Sequence, residues 1–227
     1  MKILFYIMSL FFASSVFASK PNNVKIVDLG LSVNWSSHNV SATTSPIGGY
    51  FAWGETHQKS TYSQATYKNE NKDVATEDFG TDWRIPTKNE LQELIDKCTW
   101  TLTIQDNVEG YIIKGPNGNS IFLPFGGRYN QNGLTATSKG VYWSSNKEGT
   151  EAYVLDISSS KKKIDTEDIY DGCTVRPVTK LPASDTDGIV EIKDPGSKNT
   201  IKKSLINNRL VIIKRTTSFG VDGKQIK

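Results

Sequence analysis

Residues 83–98, WRIPTKNELQELIDKC, constrain the fold more than any other stretch of this 227-residue chain. Thr87 and Glu90 have the T-x-x-E spacing of a capping box, in which the Thr hydroxyl and the Glu carboxylate each satisfy a backbone N–H left over at a helix start. Pro86 stands just before the helix, where its missing N–H costs nothing. Leu91, Leu94, Ile95 and Cys98 then recur at i, i+3, i+4 and i+7 as one apolar stripe, while Gln92, Glu93, Asp96 and Lys97 face water. A helix of only about ten residues is marginal by itself, so this stripe must dock on a sheet.

Strand patterns supply that sheet. Residues 24–35 alternate, with Val27, Leu29, Leu31, Val33 and Trp35 on one side, and predict the strand that opens the domain. GGYFAWGE at 48–55 brings two glycines and an aromatic patch; Tyr50 and Trp53 read as core plugs before they read as a sugar-stacking platform. Residues 56–82 form a polar insertion too long for an ordinary connection, with a brief helix expected at 73–79. Beyond the capped helix, Trp100, Leu102 and Ile104 alternate with Thr101 and Thr103 as a strand. Residues 111–114 and 120–123 flank GPNGN, where Asn117-Gly118 predicts a type I′ hairpin turn. GVYWSS (140–145), AYVLDI (152–157) and CTVRPV (173–178) predict three antiparallel strands, with residues 158–171 as a charged, solvated hairpin tip and Arg176 paired with a buried carboxylate.

These landmarks carry a family resemblance. WRIPTKNELQELI resembles the R-[LIM]-P-T-x-x-E helix of the formylglycine-generating-enzyme and C-type-lectin-like superfamily. VDLGLSVNW, GGYFAWGE, GPNGNSIFLPFGG, GVYWSSN and TVRPV, together with that helix, resemble the Fibrobacter succinogenes major paralogous domain over residues 27–178. The resemblance implies an α+β, C-type-lectin-like mixed fold: an antiparallel sheet, one or two short helices and long loops.

The two ends read differently. Lys2, an apolar run at residues 3–12 and Val16-Phe17-Ala18 have the form of an export signal covering residues 1–18, too short to span a bilayer as a helix. The mature chain is expected to begin near Ser19 and to lie outside the cell or on its surface, with the periplasm as the alternative. After residue 178 the composition shifts to Pro, Ser, Asp and Lys, which predicts a linker over 179–203 and a small β unit over 204–227. The last residues, ending in VDGKQIK, resemble C-terminal tails recognised by the type IX secretion machinery. Residues 19–178 hold 16 Lys and Arg against 19 Asp and Glu, net −3, whereas 179–227 hold 10 against 5, net +5. The basic pI of 8.7 therefore belongs to the tail, and the acidic domain is not the basic, aromatic-laced surface that nucleic acid requires.

Catalytic and metal chemistry find few candidates. Asp73, Glu77, Asp78 and Asp82 invite calcium, but their spacing matches no calcium template. Asp185-Thr186-Asp187-Gly188 puts Ala183 at position 1 and Asp194 at position 12 of an EF-hand loop, which fails. PFGGRY (124–129) lacks the Lys-Ser/Thr and the helix of a phosphate loop. Only His38 and His57 are available for a triad or a zinc site. A formylglycine-generating oxidase needs a reactive Cys pair, and Cys173 has no second Cys beside it. Cys98 and Cys173 are open to two readings, a disulfide or two free thiols; the lectin-like pattern would instead join the last strand to the first helix, which has no Cys.

A non-catalytic binding module remains, with no cofactor and an extracellular glycan or protein as ligand. Its candidate contacts are Tyr62 and Tyr67 in the insertion and Tyr129, Asn130 and Asn132 after the GG bend, because such loops combine rigid aromatic area with adaptable hydrogen bonds. A structural role in a surface assembly is the alternative.

Overall fold

Two helices form, α1 (Val74–Phe79) and α2 (Lys88–Lys97), and each starts at a side chain that the sequence marks. Asp73 Oδ1 accepts from the N–H groups of Ala75 and Thr76, at 2.8 and 3.2 Å. At α2, Thr87 Oγ1 accepts from Glu90 N at 3.3 Å and Glu90 Oε2 accepts from Thr87 N at 2.7 Å, completing the capping box. Arg84 adds a fork that the spacing does not announce: its two terminal nitrogens donate to the two Glu90 oxygens at 2.8 and 2.6 Å. Burial opposes the Glu90 charge, but Arg84 and the Thr87 N–H together hold its carboxyl below the usual range.

The computed structural model describes residues 24–43 and 45–180, and in the tail the strand segments Val190–Ile192, Ile201–Ile206, Arg209–Lys214, Ser218–Phe219 and Gln225–Ile226. In chain order the strands before the tail are β1 (Ile26–Val27), β2 (Asn34–Ser36), β3 (Trp83–Arg84), β4 (Thr99–Gln105), β5 (Val108–Lys114) and β6 (Ser120–Pro124). Then come β7 (Arg128–Asn130), β8 (Gly133–Thr135), β9 (Lys139–Glu148), β10 (Glu151–Ser158), β11 (Lys162–Asp168) and β12 (Val178–Thr179). They form antiparallel sheets in the orders β1-β2-β12-β3, β4-β5-β6, β7-β8 and β11-β10-β9. The chain is thus an α+β domain dominated by antiparallel strands.

The hairpin β9–β10 is buried on both faces and separates two apolar clusters. Tyr142, Leu155 and Ile157 point to one, where they meet Trp35, Tyr111, Ile113, Leu123 and the α2 residues Leu91 and Leu94. Val141, Trp143, Ala152 and Val154 point to the other, with Val40, Phe51, Ile85, Cys173 and Val175. The stripe of α2 therefore docks as its period requires. Arg176, 2% exposed, ties its own segment to two distant ones: Nε donates to Asn39 Oδ1 (2.7 Å), Nη1 to the Ser36 carbonyl (3.0 Å) and Nη2 to the Phe122 carbonyl (2.8 Å).

Several expectations are corrected. Residues 24–35 are not one strand, because Gly30 takes a positive φ of 73° and donates to Asp28 Oδ1, turning the chain between β1 and β2; the alternation of burial nonetheless survives at Leu29, Val33 and Trp35. Residues 158–171 are not a solvated tip but contain β11, a full partner of β10, since its charges occupy an edge where water reaches them. Residues 173–178 do not extend that sheet: Cys173 bridges Phe51, Thr174 bridges Tyr142, and Val178 enters β12 between β2 and β3. The partners of Arg176 are neutral oxygens, not a carboxylate. Asn117 has negative φ and only Gly118 is positive (93°), so the GPNGN turn is not type I′; that geometry occurs at Asp106-Asn107, φ 49° and 61°, between β4 and β5.

In the tail, Val190–Ile192, Ile201–Ile206 and Arg209–Lys214 form a three-stranded antiparallel sheet, and Ser218–Phe219 pairs with Gln225–Ile226. The predicted linker therefore contains strand residues, as the β-branched Val190, Ile192 and Ile201 favour. Among the described residues the tail strands pair only with one another. The predicted export signal at 1–18 lies outside the described residues.

Candidate functional site

Two features of the fold converge on one cleft. The capping box fixes where α2 begins, so Lys88 and Asn89 stand at its first turn. The β9–β10 hairpin turns at Gly149, φ 62°, and so carries Asn146, Lys147, Glu148 and Tyr153 back toward that turn. The two are tied by backbone and amide bonds: Ser145 N donates to the Pro86 carbonyl at 2.8 Å, and Lys88 N donates to Asn146 Oδ1 at 2.8 Å. The resulting cleft of about 350 Å³ is lined by Thr87, Lys88, Asn89, Asn146, Lys147, Glu148 and Tyr153.

Its chemistry is that of recognition. The Lys88 ammonium lies 3.7 Å from the Tyr153 ring centroid, a cation on an aromatic face. The Tyr153 hydroxyl donates to Glu148 Oε2 at 2.8 Å, which orients the ring. Lys147 reaches over Trp53 at 5.2 Å, and Trp53 is itself held by donation from Nε1 to the Ser144 carbonyl at 2.9 Å. One wall thus offers ammonium and amide donors, and the other offers an aromatic ring and a carboxylate.

The five residues singled out by sequence do not form one surface. Tyr62 is 1% exposed and is a core residue: its hydroxyl donates to the Tyr50 carbonyl at 2.5 Å and its ring covers Gly172, where an added Cβ would come within 2.6 Å. Tyr129 is half-buried, packed edge-on against Tyr50 at 4.8 Å and tilted against Tyr62 at 5.6 Å. The Tyr50 hydroxyl donates to the Gly126 carbonyl, so this part of the GG bend is an acceptor for a core tyrosine. Burial pushes the Tyr50 and Tyr62 hydroxyls up to about 12. Tyr67 is held by donation to the Trp53 carbonyl at 2.9 Å. Asn130 accepts from Asn132 N at 2.9 Å and shapes the β7–β8 turn, leaving Asn132 as the exposed member of the set. The insertion is built inward rather than outward, around buried Glu55, which pairs with Lys59 at 2.7 Å and accepts from Lys68 N at 2.6 Å.

Both cysteines are free, and the bridge between them does not form. Cys98 packs against the cluster that holds α2, whereas Cys173 is buried in the cluster on the other face of β9–β10. Burial raises both thiols, Cys173 well above its ordinary value. Two of the four carboxylates considered for calcium are committed to protein partners: Asp73 caps α1 and accepts from Ile85 N at 2.9 Å, and Asp78 accepts from Ser41 N at 2.9 Å. Among the described residues no group of three or more His, Cys, Asp or Glu is placed to hold a metal ion, and no helix is long and apolar enough to cross a membrane.

Sequence reasoning missed Lys88, Asn89, Asn146, Lys147, Glu148 and Tyr153. One signal was available: Lys88-Asn89 directly follows the cap, and SSNKEGT reads as a polar hairpin turn between two apolar runs. Only the docking of α2 beside that turn makes them a cleft.

An antiparallel α+β domain with this cleft is the frame in which the family match falls. Residues 25–179 match the model of the Lcl C-terminal domain, and the chain belongs to that family. It is a family of non-enzymatic domains, and no catalytic family is indicated. No curated protein and no solved structure matches the chain.

Proposed function

We propose that this chain is an exported, non-catalytic binding module that holds an extracellular glycan or protein segment in the cleft between α2 and the β9–β10 hairpin. The observation that carries the reading is the cleft's mixed lining: the Tyr153 ring, the Asn89 and Asn146 amides, and the Lys88, Lys147 and Glu148 charges, gathered from α2 and the β9–β10 hairpin. An aromatic ring with a cation on one face, beside amides and charges of both signs, suits a polyhydroxylated or peptide ligand, since ring and amide supply area and direction while the charges tune selectivity. The likeness of WRIPTKNELQELI and its companion motifs to lectin-like scaffolds supports the same reading, as do the resemblance of residues 1–18 to an export signal and of residues 204–227 to a sorting tail, both of which suit a cell-surface protein.

The test is a glycan and protein array probed with the mature chain from Ser19 onward, with and without calcium. Binding should be lost or weakened at least about tenfold by Tyr153→Ala, the loss of one aromatic anchor, and should be indifferent to Asn132→Ala. Binding that survives Tyr153→Ala together with Lys88→Ala, but falls with Asn132→Ala, would move the site to the β7–β8 turn.

A further inference from the structure

The strand β4 has a free edge of an unusual kind. It is an outer strand of β4-β5-β6, and among the described residues no strand other than β5 pairs with it. Its sequence, TWTLTIQ, contains no charge, no proline and no glycine, whereas free edges are ordinarily blunted by charges, prolines or bulges. The sheet β11-β10-β9 obeys that rule, since its edge strand β11 reads KKIDTED. The outer edge of β6 is occupied, because the Phe122 and Pro124 carbonyls accept from Arg176 and Tyr142. Two of the three large exposed apolar side chains of the described residues, Leu102 (42%) and Ile104 (69%), lie on β4.

The backbone direction follows from the turn. Gln105 and Val108 close the two-residue Asp106-Asn107 turn and are therefore the pair that bonds across β4–β5. By alternation, Gln105, Thr103, Thr101 and Thr99 direct their N–H and C=O groups to β5, and Ile104, Leu102 and Trp100 direct theirs to the open edge. The side chains of those same three residues share the face on which Trp100 packs against the core and donates from Nε1 to the Leu94 carbonyl at 3.0 Å.

We propose that β4 pairs antiparallel with β4 of a second copy of this chain, about a two-fold axis at Leu102. The strand is self-complementary about that residue: Leu102 meets Leu102, Trp100 meets Ile104, Thr101 meets Thr103 and Thr99 meets Gln105. Every facing pair joins like with like, apolar with apolar and polar with polar, and no charge faces another. At the ends, Asp106 of one copy comes opposite Cys98, one residue from Lys97 of the other, so the flanking charges are of opposite sign. The pairing satisfies the outward backbone groups of Trp100, Leu102 and Ile104 in both copies, covers the two exposed apolar side chains and makes one six-stranded sheet. It is an isologous contact that closes at two copies.

The test uses the mature chain in sedimentation velocity over a concentration series. A reversible monomer–dimer equilibrium is expected. Leu102→Lys, which sets two ammonium groups against each other on the axis at an exposed position, should weaken it by about a hundredfold or more, with a melting temperature unchanged at concentrations where both proteins are monomeric. In a Cys98→Ser background, oxidised Leu102→Cys should crosslink to a dimer, because facing Cα atoms in such a pair stand about 5.5 Å apart, whereas Ile104→Cys, which faces Trp100, should not. A chain that stays monomeric, a trimer, or a dimer untouched by Leu102→Lys would overturn the proposal; a strand donated by another protein would show as the first of these.

Discussion

Arg176 and Arg128 tie distant segments together in opposite ways. Arg176 is enclosed, and its three bonds all go to neutral oxygens, two from residues 36–39 and one from Phe122. Burial pushes it down to about 10, yet it remains a cation at neutral pH. Arg128 on β7 lies near the surface and presents one nitrogen to two carboxylates, Glu167 on β11 and Asp171 at 2.6 Å. Here the counter-charges outnumber the cation. Burial, with mutual repulsion among Glu167, Asp171, Asp156, Asp165 and Asp168, pushes Glu167 up to about 7 and Asp171 up to about 6 despite Arg128. Oriented neutral dipoles can thus hold a buried cation without making the fold sensitive to pH near neutrality, whereas an over-supplied ion cluster concentrates that sensitivity.

Breaking the first region should have the largest effect. Arg176→Ala strands the Asn39, Ser36 and Phe122 acceptors and opens a cavity, so a loss of about 3 to 5 kcal/mol is expected in urea melts. Arg176→Lys should recover little, because one ammonium cannot reach three divergent acceptors as a planar fork does. A mild Arg176→Ala would mean that water takes over those acceptors and that the site is not sealed.

Arg128→Ala should cost about 1 to 3 kcal/mol near pH 8, where it leaves two partly buried carboxylates uncompensated, and clearly less near pH 5. For the intact domain the sign follows from the raised values. Between the unfolded carboxylate range and about 7, the folded state holds protons on Glu167 and Asp171 that the unfolded chain has lost. Stability from these groups is therefore full below the unfolded values and declines as pH rises through about 6 to 7. Thermal melts should show a rise in melting temperature from about pH 8 to about pH 5, and Glu167→Gln should flatten it. A melting temperature that falls over that window would contradict the cluster as described.

A third guanidinium gives the smallest effect and the control. Arg84 meets a single carboxylate that is also part of a capping box, so charge and hydrogen bonds are matched. Thr87→Ala should cost about 1 kcal/mol, with no change in the pH dependence assigned to Glu167 and Asp171.

How much of this was legible depended on range. The cap at Thr87 and Glu90, the stripe at Leu91 and Leu94, the short helix beginning after Asp73 and the strand cores at residues 100–104, 111–114, 140–145 and 152–157 all follow from neighbours within a few positions, while the strands themselves run further, to 99–105, 108–114, 139–148 and 151–158. The alternation of residues 27–35 told which side chains are buried but not that the strand breaks at Gly30, because period-two burial reports a face and not a hydrogen-bonding partner. Residues 162–168 look like a solvated tip because an edge strand exposed to water has the composition of a loop.

The candidate site shows the same division. Tyr62 has the composition of a recognition residue and the burial of a core residue, since nothing near it in sequence announces Tyr50, Tyr129 or Gly172. Local instructions are written in the sequence: where helices start, which faces are apolar, and that the domain is acidic while the tail is basic. Which faces meet is settled by the packed chain. It put Cys98 and Cys173 in different clusters, Arg176 among carbonyls, and Lys88 beside Tyr153. The physical reason is that caps and turns are satisfied by groups a few bonds away, while burial, ion pairing and cleft formation depend on residues tens of positions apart whose approach follows from packing the whole chain.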